Sequence, residues 1–249
     1  MVIDSGNMEF GNELLFTIPR AYWHYKHGNL EATRSGVGSG PFYYFSTIHL
    51  INGDKRHWSN RTTDVTVNRF NPTGEWEPPP YKARYWNKEF VYDKPLFVIS
   101  NKYNMEWGRE PVNYINTNTL LGIIEQLSPD YKIFYNRRIP KHIQDDQRQL
   151  DLGEHEAIRE KHPDVEFIHE LPGDYNMNQL MIYANCDRFI SVQGGNSILC
   201  SYFGGRNIIY AVKGQELVCG LYDRLGVLSG CEVTHVNKYS SIIKEISNG

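Results

Sequence analysis

From residue 94 to the end of the chain, six short apolar runs alternate with amphipathic stretches, and no other feature constrains the fold as strongly. The runs are 96–100, 131–135, 165–169, 188–192, 207–212 and 232–236. Apolar runs of this length, each followed by a helix-length segment, are the pattern of consecutive strand-helix units feeding a parallel sheet. The intervening segments 117–127, 153–162, 176–186, 197–205, 216–226 and 239–247 read as helices. Pro163 closes the second of these, and Asn176 or Asn178 can cap the third. A doubly wound domain over 94–249 follows.

The first 93 residues differ, with many aromatics and glycines and one clear helix in "NELLFTIPRAYWHYKHG". Segments 41–50 and 64–70 are β-like, and the aromatic residues read as the core of a small domain. Pro78, Pro79 and Pro80 cannot continue a helix, so 71–86 reads as an extended connection and the domain boundary is set near Asp93.

A formal charge of −3 argues against a chain that coats nucleic acid or an anionic membrane. The four cysteines, Cys186, Cys200, Cys219 and Cys231, have neither zinc-ligand nor disulfide-framework spacing and read as free thiols of a reducing compartment. No apolar stretch reaches membrane-spanning length, and the N-terminus lacks the apolar region of a signal peptide, so a cytoplasmic protein is expected.

The stretch "SVQGGNSILCSYFGG" carries a strand into Gly194, Gly195, Asn196 and Ser197 and then into a helix. Ligands of open parallel sheets sit beyond the carboxyl ends of strands, where glycine lets backbone N–H groups approach an anion. A tight turn without a ligand is the competing reading, with Asn196 or Ser197 as a helix cap.

The segment from Phe167 to Glu216 resembles the donor half of a GT-B glycosyltransferase. Leu180 to Asp187, Phe189 to Val192, Gly194-Gly195-Asn196, Gly204-Gly205 and Ile208 to Val212 match its order of helix, strand, glycine loop, short helix and strand. "FGNELLFTIPRAYWHYKHGNLE" is similar to the opening of the heptosyltransferase-like branch, in Gly11, Leu14 and Pro19. Where that branch has an acid after the glycine, this chain has Asn12, followed by Glu13.

The resemblance implies two Rossmann-like α/β domains with a reduced N-terminal one: 1–93 on the acceptor side and 94–249 holding a nucleotide-diphosphate sugar. Gly11, Asn12 and His24 would then face the cleft. Since an amide cannot take a proton from the acceptor hydroxyl, the base would be Glu13. Glu13 also reads as a first-turn carboxylate stabilising its helix, and His24 as part of an aromatic packing face.

Arg137 and Arg138 follow the strand 131–135, where arginines could clamp a diphosphate; fucosyltransferases of this fold carry a similar pair. They could instead pair with Asp145 and Asp146 in a solvated loop. Asn101 and Lys102 follow the first strand of the domain and read as acceptor contacts or as residues of a loop with no role. Glu216 stands where many GT-B enzymes hold ribose hydroxyls, unless it caps the next helix.

No Asp-x-Asp, His-Glu-x-x-His, Gly-x-Ser-x-Gly or Walker A sequence occurs. The reading is a glycosyltransferase moving a sugar from a nucleotide-diphosphate sugar to a hydroxyl of a glycan, without metal or other cofactor. The alternatives are a nucleotide-sugar epimerase and a binding module that has lost its chemistry.

Overall fold

A computed structural model describes residues 1–53, 56, 74–106, 110–138 and 149–247. The β-like segment 64–70 and the residues Asp145 and Asp146 lie outside these. The chain divides into two units, one built on Met1–Pro80 and the other from Tyr81 onward.

The first unit carries a parallel sheet of β1 (Val2–Asp4), β2 (Ala32–Ser35) and β3 (His49–Ile51), with β2 in the middle. One continuous helical path runs between β1 and β2: α1 (Phe10–Asn12), a π-turn (Glu13–Thr17) and α2 (Ile18–Lys26). Pro19 has no N–H to offer the carbonyl of Leu15. That orphaned carbonyl instead accepts a hydrogen bond from Trp76 Nε1 at 2.7 Å, and the Ile18 N–H reaches back five residues to Glu13. Leu14, Ile18 and Ala21, spaced for one helix face, are fully buried.

Of the β-like segment 41–50, only the end enters a strand, because Gly40–Tyr43 forms a 3-10 turn. Its aromatics pack inward, with Phe42 on Phe10 at 5.0 Å and Phe45 on Tyr22 at 5.1 Å.

In the second unit, the elements are α3 (Tyr81–Tyr85), β4 (Leu96–Ser100), α4 (Thr117–Leu127), β5 (Lys132–Asn136), α5 (Glu154–Lys161), β6 (Glu166–Phe167), α6 (Tyr175–Ala184) and β7 (Cys186–Val192). These are followed by α7 (Gly195–Ser201), β8 (Arg206–Tyr210), α8 (Gln215–Val218), α9 (Leu221–Ser229), β9 (Glu232–Val236) and α10 (Tyr239–Ser247). The six strands are all parallel, in the order β6-β5-β4-β7-β8-β9.

Counted within the unit this is the Rossmann order 3-2-1-4-5-6, and its direction reverses between β4 and β7. The expected α/β class with parallel sheets is therefore present. Every residue of β4 is buried, which is why its sequence is an unbroken apolar run rather than an alternation. Leu120, Ile123, Ile124 and Leu127 of α4 join Ile242 of α10 against Phe97, Ile99, Ile190 and Ile208 of the sheet.

Three local expectations change. The cap of α6 is Asp174, whose carboxylate accepts from Met177 N at 2.8 Å, rather than Asn176 or Asn178. The helix expected over 216–226 breaks at Gly220 into α8 and α9. The division between units falls after Pro80 rather than near Asp93, since α3 belongs to the second unit: Tyr81 stacks on Phe203 at 5.9 Å, and Asn185 donates to the carbonyls of Asn87 and Phe90.

Gly205 explains the second glycine of its pair. A Cβ there would stand 2.2 Å from the Asp187 carbonyl oxygen, on a backbone with φ +66°. Among the described residues no helix is long and apolar enough to cross a membrane.

Candidate functional site

The strand order reverses between β4 and β7, so the loops after these two strands and after β8 form the crevice in which open α/β sheets take ligands. Sequence reasoning placed Asn101, Lys102 and Gly194 to Ser197 at those loops, and the structure brings Lys102 and Gly194 together. Lys102 Nζ donates to Gln193 Oε1 at 2.7 Å and lies 3.0 Å from Glu106 Oε1. It is also 3.8 Å from where a Cβ on Gly194 would stand.

Gly194 has φ +130°, a conformation that only glycine adopts without strain. The turn it makes leaves backbone donors open. Gln193 N still bonds Tyr210 O in the sheet, and Ser197 N returns to Gly194 O. The N–H groups of Gly194, Gly195 and Asn196 have no acceptor among the described residues.

Neither Asn196 nor Ser197 caps α7, whose cap position is Gly194. The Ser197 hydroxyl donates to Gly194 O at 2.8 Å, and Asn196 Oδ1 accepts from Gln179 at 3.4 Å. Asn101 is a brace rather than a contact. Its amide donates to Ile115 O at 2.9 Å, and its carbonyl accepts from Ile115 N and Lys102 N, both at 2.9 Å.

A buried polar network that the sequence did not reveal joins the three loops. Asn113 donates to Glu106 Oε2 and to Lys213 O, both at 2.8 Å, and accepts from Val212 N at 2.7 Å. It thereby ties the loop after β8 to the loop after β4, while Gln193 bridges Asn113 and Lys102. Glu216 lies in the first turn of α8 and does not cap it; its carboxylate folds back over Gly214. From where a Gly214 Cβ would begin, Glu216 Oε2 is 2.8 Å away and Gln193 Nε2 is 3.1 Å away.

The two arginines part company. Arg137 is 3% exposed and turned inward, its Nε and Nη2 donating to Glu154 and its Nη1 to Leu150 O at 3.1 Å. Burial opposes its charge, but the Glu154 carboxylate and Tyr135 together more than offset this and hold its pKa up. Its guanidinium is occupied, so the expected phosphate clamp loses Arg137. Arg138 instead lies over the Tyr175 ring at 4.4 Å, and Tyr175 is fixed by a 2.6 Å bond to Asn136 Oδ1.

In the first unit, Gly11 N and Asn12 N donate to Glu9 Oε1 and Oε2 at 2.9 and 3.1 Å, so Glu9 is the cap of that helix. Glu13 is fully buried. Its carboxylate accepts from Tyr43 at 2.8 Å, from Ser39 at 3.3 Å and from Arg56. A carboxylate held by three protein donors and closed off from solvent is a structural ion pair, with no face open to an acceptor hydroxyl. His24 sits roughly 16 Å further along the helix at 1.5 Å per residue. It is buried against Trp23, with Nε2 3.2 Å from Glu75 Oε2. Glu13 and His24 therefore do not share a site.

A cavity of about 410 Å³ opens in the second unit between Phe97, Leu127, Arg188, Arg206 and Ile246. It lies toward the amino ends of β4, β7 and β8, away from the loops just described, and Arg206 is already paired with Glu245 and Glu232.

No protein-family model matches this sequence, and no curated protein matches it either. Among solved structures, the chain is similar to E. coli heptosyltransferase WaaC with ADP at 10% identity and a TM-score of 0.47, covering 92% of this chain and 71% of that one. It is similar to the wall teichoic acid polymerase TagF at 13% identity and 0.39, covering 91% of this chain and 51% of that one. It is also similar to UDP-GlcNAc 2-epimerase from Neisseria meningitidis bound to UDP-GlcNAc, at 11% and 0.41, covering 68% of this chain and 38% of that one. The chain thus spans well under half of the epimerase and about half of TagF.

Proposed function

We propose that the chain is a glycosyltransferase that binds a nucleotide-diphosphate sugar at the carboxyl ends of β4, β7 and β8 and passes the sugar to a hydroxyl acceptor. The observation that carries this reading is the set of unpartnered amides at Gly194, Gly195 and Asn196 beside the Lys102 ammonium. Fixed donors next to a cation suit the charge that develops on a departing diphosphate, without a divalent ion. Glu216 supplies a carboxylate able to accept two ribose hydroxyls, and Arg138 a guanidinium for the distal phosphate.

The order of parts from Phe167 to Glu216 supports the same class, as does the opening around Gly11, Leu14 and Pro19. The base that receives the acceptor's proton is assigned to a residue other than Glu13.

A second reading is favoured by one observation. With Asn12 in place of an acid and Glu13 consumed by Arg56, the first unit has lost the base expected of it, which fits a module that binds the nucleotide sugar without transferring it. Thermal shift against UDP-, GDP-, CMP- and ADP-sugars identifies the nucleotide, since a ligand of the folded state raises the melting temperature. Nucleotide release that depends on an acceptor supports transfer, and an isomerised sugar supports epimerisation. Stabilisation without turnover under any acceptor supports the module. Lys102→Met is expected to weaken nucleotide binding about tenfold or more in calorimetric titration, and an unchanged affinity would remove the site from these loops.

A further inference from the structure

Tyr222 of α9 is 4% exposed, its ring stacked on His235 with centroids 5.6 Å apart. His235 is itself held by a 2.9 Å contact from Nε2 to Ala211 O, so packing fixes where the Tyr222 hydroxyl ends up. That hydroxyl is buried and has no hydrogen-bond partner among the described residues. Buried hydroxyls without partners are rare because they forfeit their hydration for nothing.

The groups that bear on this hydroxyl belong to the candidate site. Burial raises its pKa, the Glu216 and Glu106 charges add to this, and the Ser197 hydroxyl opposes it. The phenol therefore keeps its proton and is available as a donor. Ser197 belongs to α7, which packs against the helix α9 that carries Tyr222, and the Tyr222 hydroxyl makes no hydrogen bond to it. Ser197 spends its own proton on Gly194 O, at 2.8 Å, and has lone pairs free to accept another. Gly194 O is the other side of the turn whose three amides are unpartnered.

We propose that Tyr222 is a positioning residue: as the turn draws in on a bound nucleoside diphosphate, its hydroxyl donates to Ser197 Oγ. The relay from Tyr222 through Ser197 to Gly194 O then fixes the amides of Gly194, Gly195 and Asn196. This inference rests on the reading of the site given above. A bond made only in the liganded state contributes to affinity and nothing to the stability of the free chain, which separates it from an ordinary structural hydroxyl.

The test uses the full chain and its Tyr222→Phe, Ser197→Ala and doubly substituted variants, with UDP, GDP, CDP and ADP as probes in calorimetric titration and thermal melting. Tyr222→Phe keeps the ring and removes only the unpartnered oxygen. Free, it should melt at the wild-type temperature or up to about 3 °C higher. For whichever diphosphate binds, its Kd should rise about three- to tenfold. The double variant should bind no more weakly than Ser197→Ala, because both act on one relay. If Ser197→Ala does not fold, Tyr222→Phe decides alone. A wild-type chain that binds while Tyr222→Phe binds equally well overturns this inference and leaves the site standing. A wild-type chain that binds none of the four overturns both.

Discussion

Replacing Glu13 with glutamine separates a buried ion pair from a catalytic base. The carboxylate is fully buried and Arg56, its partner, has a side chain 15% exposed. Glutamine keeps one acceptor oxygen, which can still serve Tyr43. The other oxygen becomes an NH₂ facing the donors Arg56 and Ser39, and Arg56 loses its counter-charge. Breaking a buried pair from one side costs about 3–5 kcal/mol, and the partial exposure of Arg56 puts this case at about 3 kcal/mol. That lowers the melting midpoint by about 6–12 °C if the chain melts as one, and by more if the first unit melts separately. Scanning calorimetry reads both cases. Turnover per folded molecule should change little. A Glu13→Gln chain that melts like the wild type but loses about 10²–10⁴ in acceptor-dependent turnover would refute the argument and return Glu13 to the role of base.

The two arginines should behave oppositely. Arg137→Ala strands the fully buried Glu154 and should cost about 3–5 kcal/mol in denaturant melts, whereas Arg138→Ala should leave stability within about 1 kcal/mol and weaken nucleoside diphosphate binding severalfold in titration. Burial, aided by the Arg137 charge and opposed by Glu154, pushes His155 below its ordinary pKa, and burial does the same to His49. The unfolded rings take up protons that the folded ones refuse. Stability should therefore fall as pH drops below about 6.5, and His155→Gln should flatten that slope in melts between about pH 8 and pH 5. Burial also raises Cys186 and Cys231 to about 12 and lifts Cys200 well above the ordinary thiol range. At about pH 8 a thiol reagent should therefore reach at most Cys219 in the folded chain, and all four thiols after denaturation.

The legible parts of the sequence were those whose signal is local. β4, β9, α4 and α10 have the boundaries that their apolar runs and helical periodicity indicate. The carboxyl-end loop at Gly194 was legible because a strand, glycine and helix in succession leave few geometries. What could not be read depends on contacts between loops distant in sequence. Arg137 and Arg138 are adjacent and chemically identical, and Arg137 is the one held inward, by Glu154 and the Leu150 carbonyl. Glu106 and Asn113 in the loop after β4 and Gln193 after β7 carry no spacing signal, because their relation is formed by side chains that meet only once the loops after these two strands are side by side. The boundary near Asp93 followed the proline run, whereas the division follows aromatic packing of Tyr81 onto Phe203.

Glycine beside polar residues at the end of a parallel strand has two outcomes in this chain, distinguished by where the backbone donors go. After β1, Gly11 N and Asn12 N are taken by Glu9, and the nearby charges of Glu13 and Arg56 neutralise each other out of water. A group so satisfied could bind a ligand only by breaking bonds it already has. After β7, the amides of Gly194, Gly195 and Asn196 keep their donors free, and Lys102 stays one-fifth exposed although Glu106 partly balances its charge. An anion arriving there replaces water rather than protein partners, and Glu106 weakens the pull of the lysine without removing it. Under the proposed function, recognition would be shared between neutral amides and one tempered cation, which would suit a diphosphate attached to groups within reach of Glu216 and Arg138 better than a bare inorganic ion.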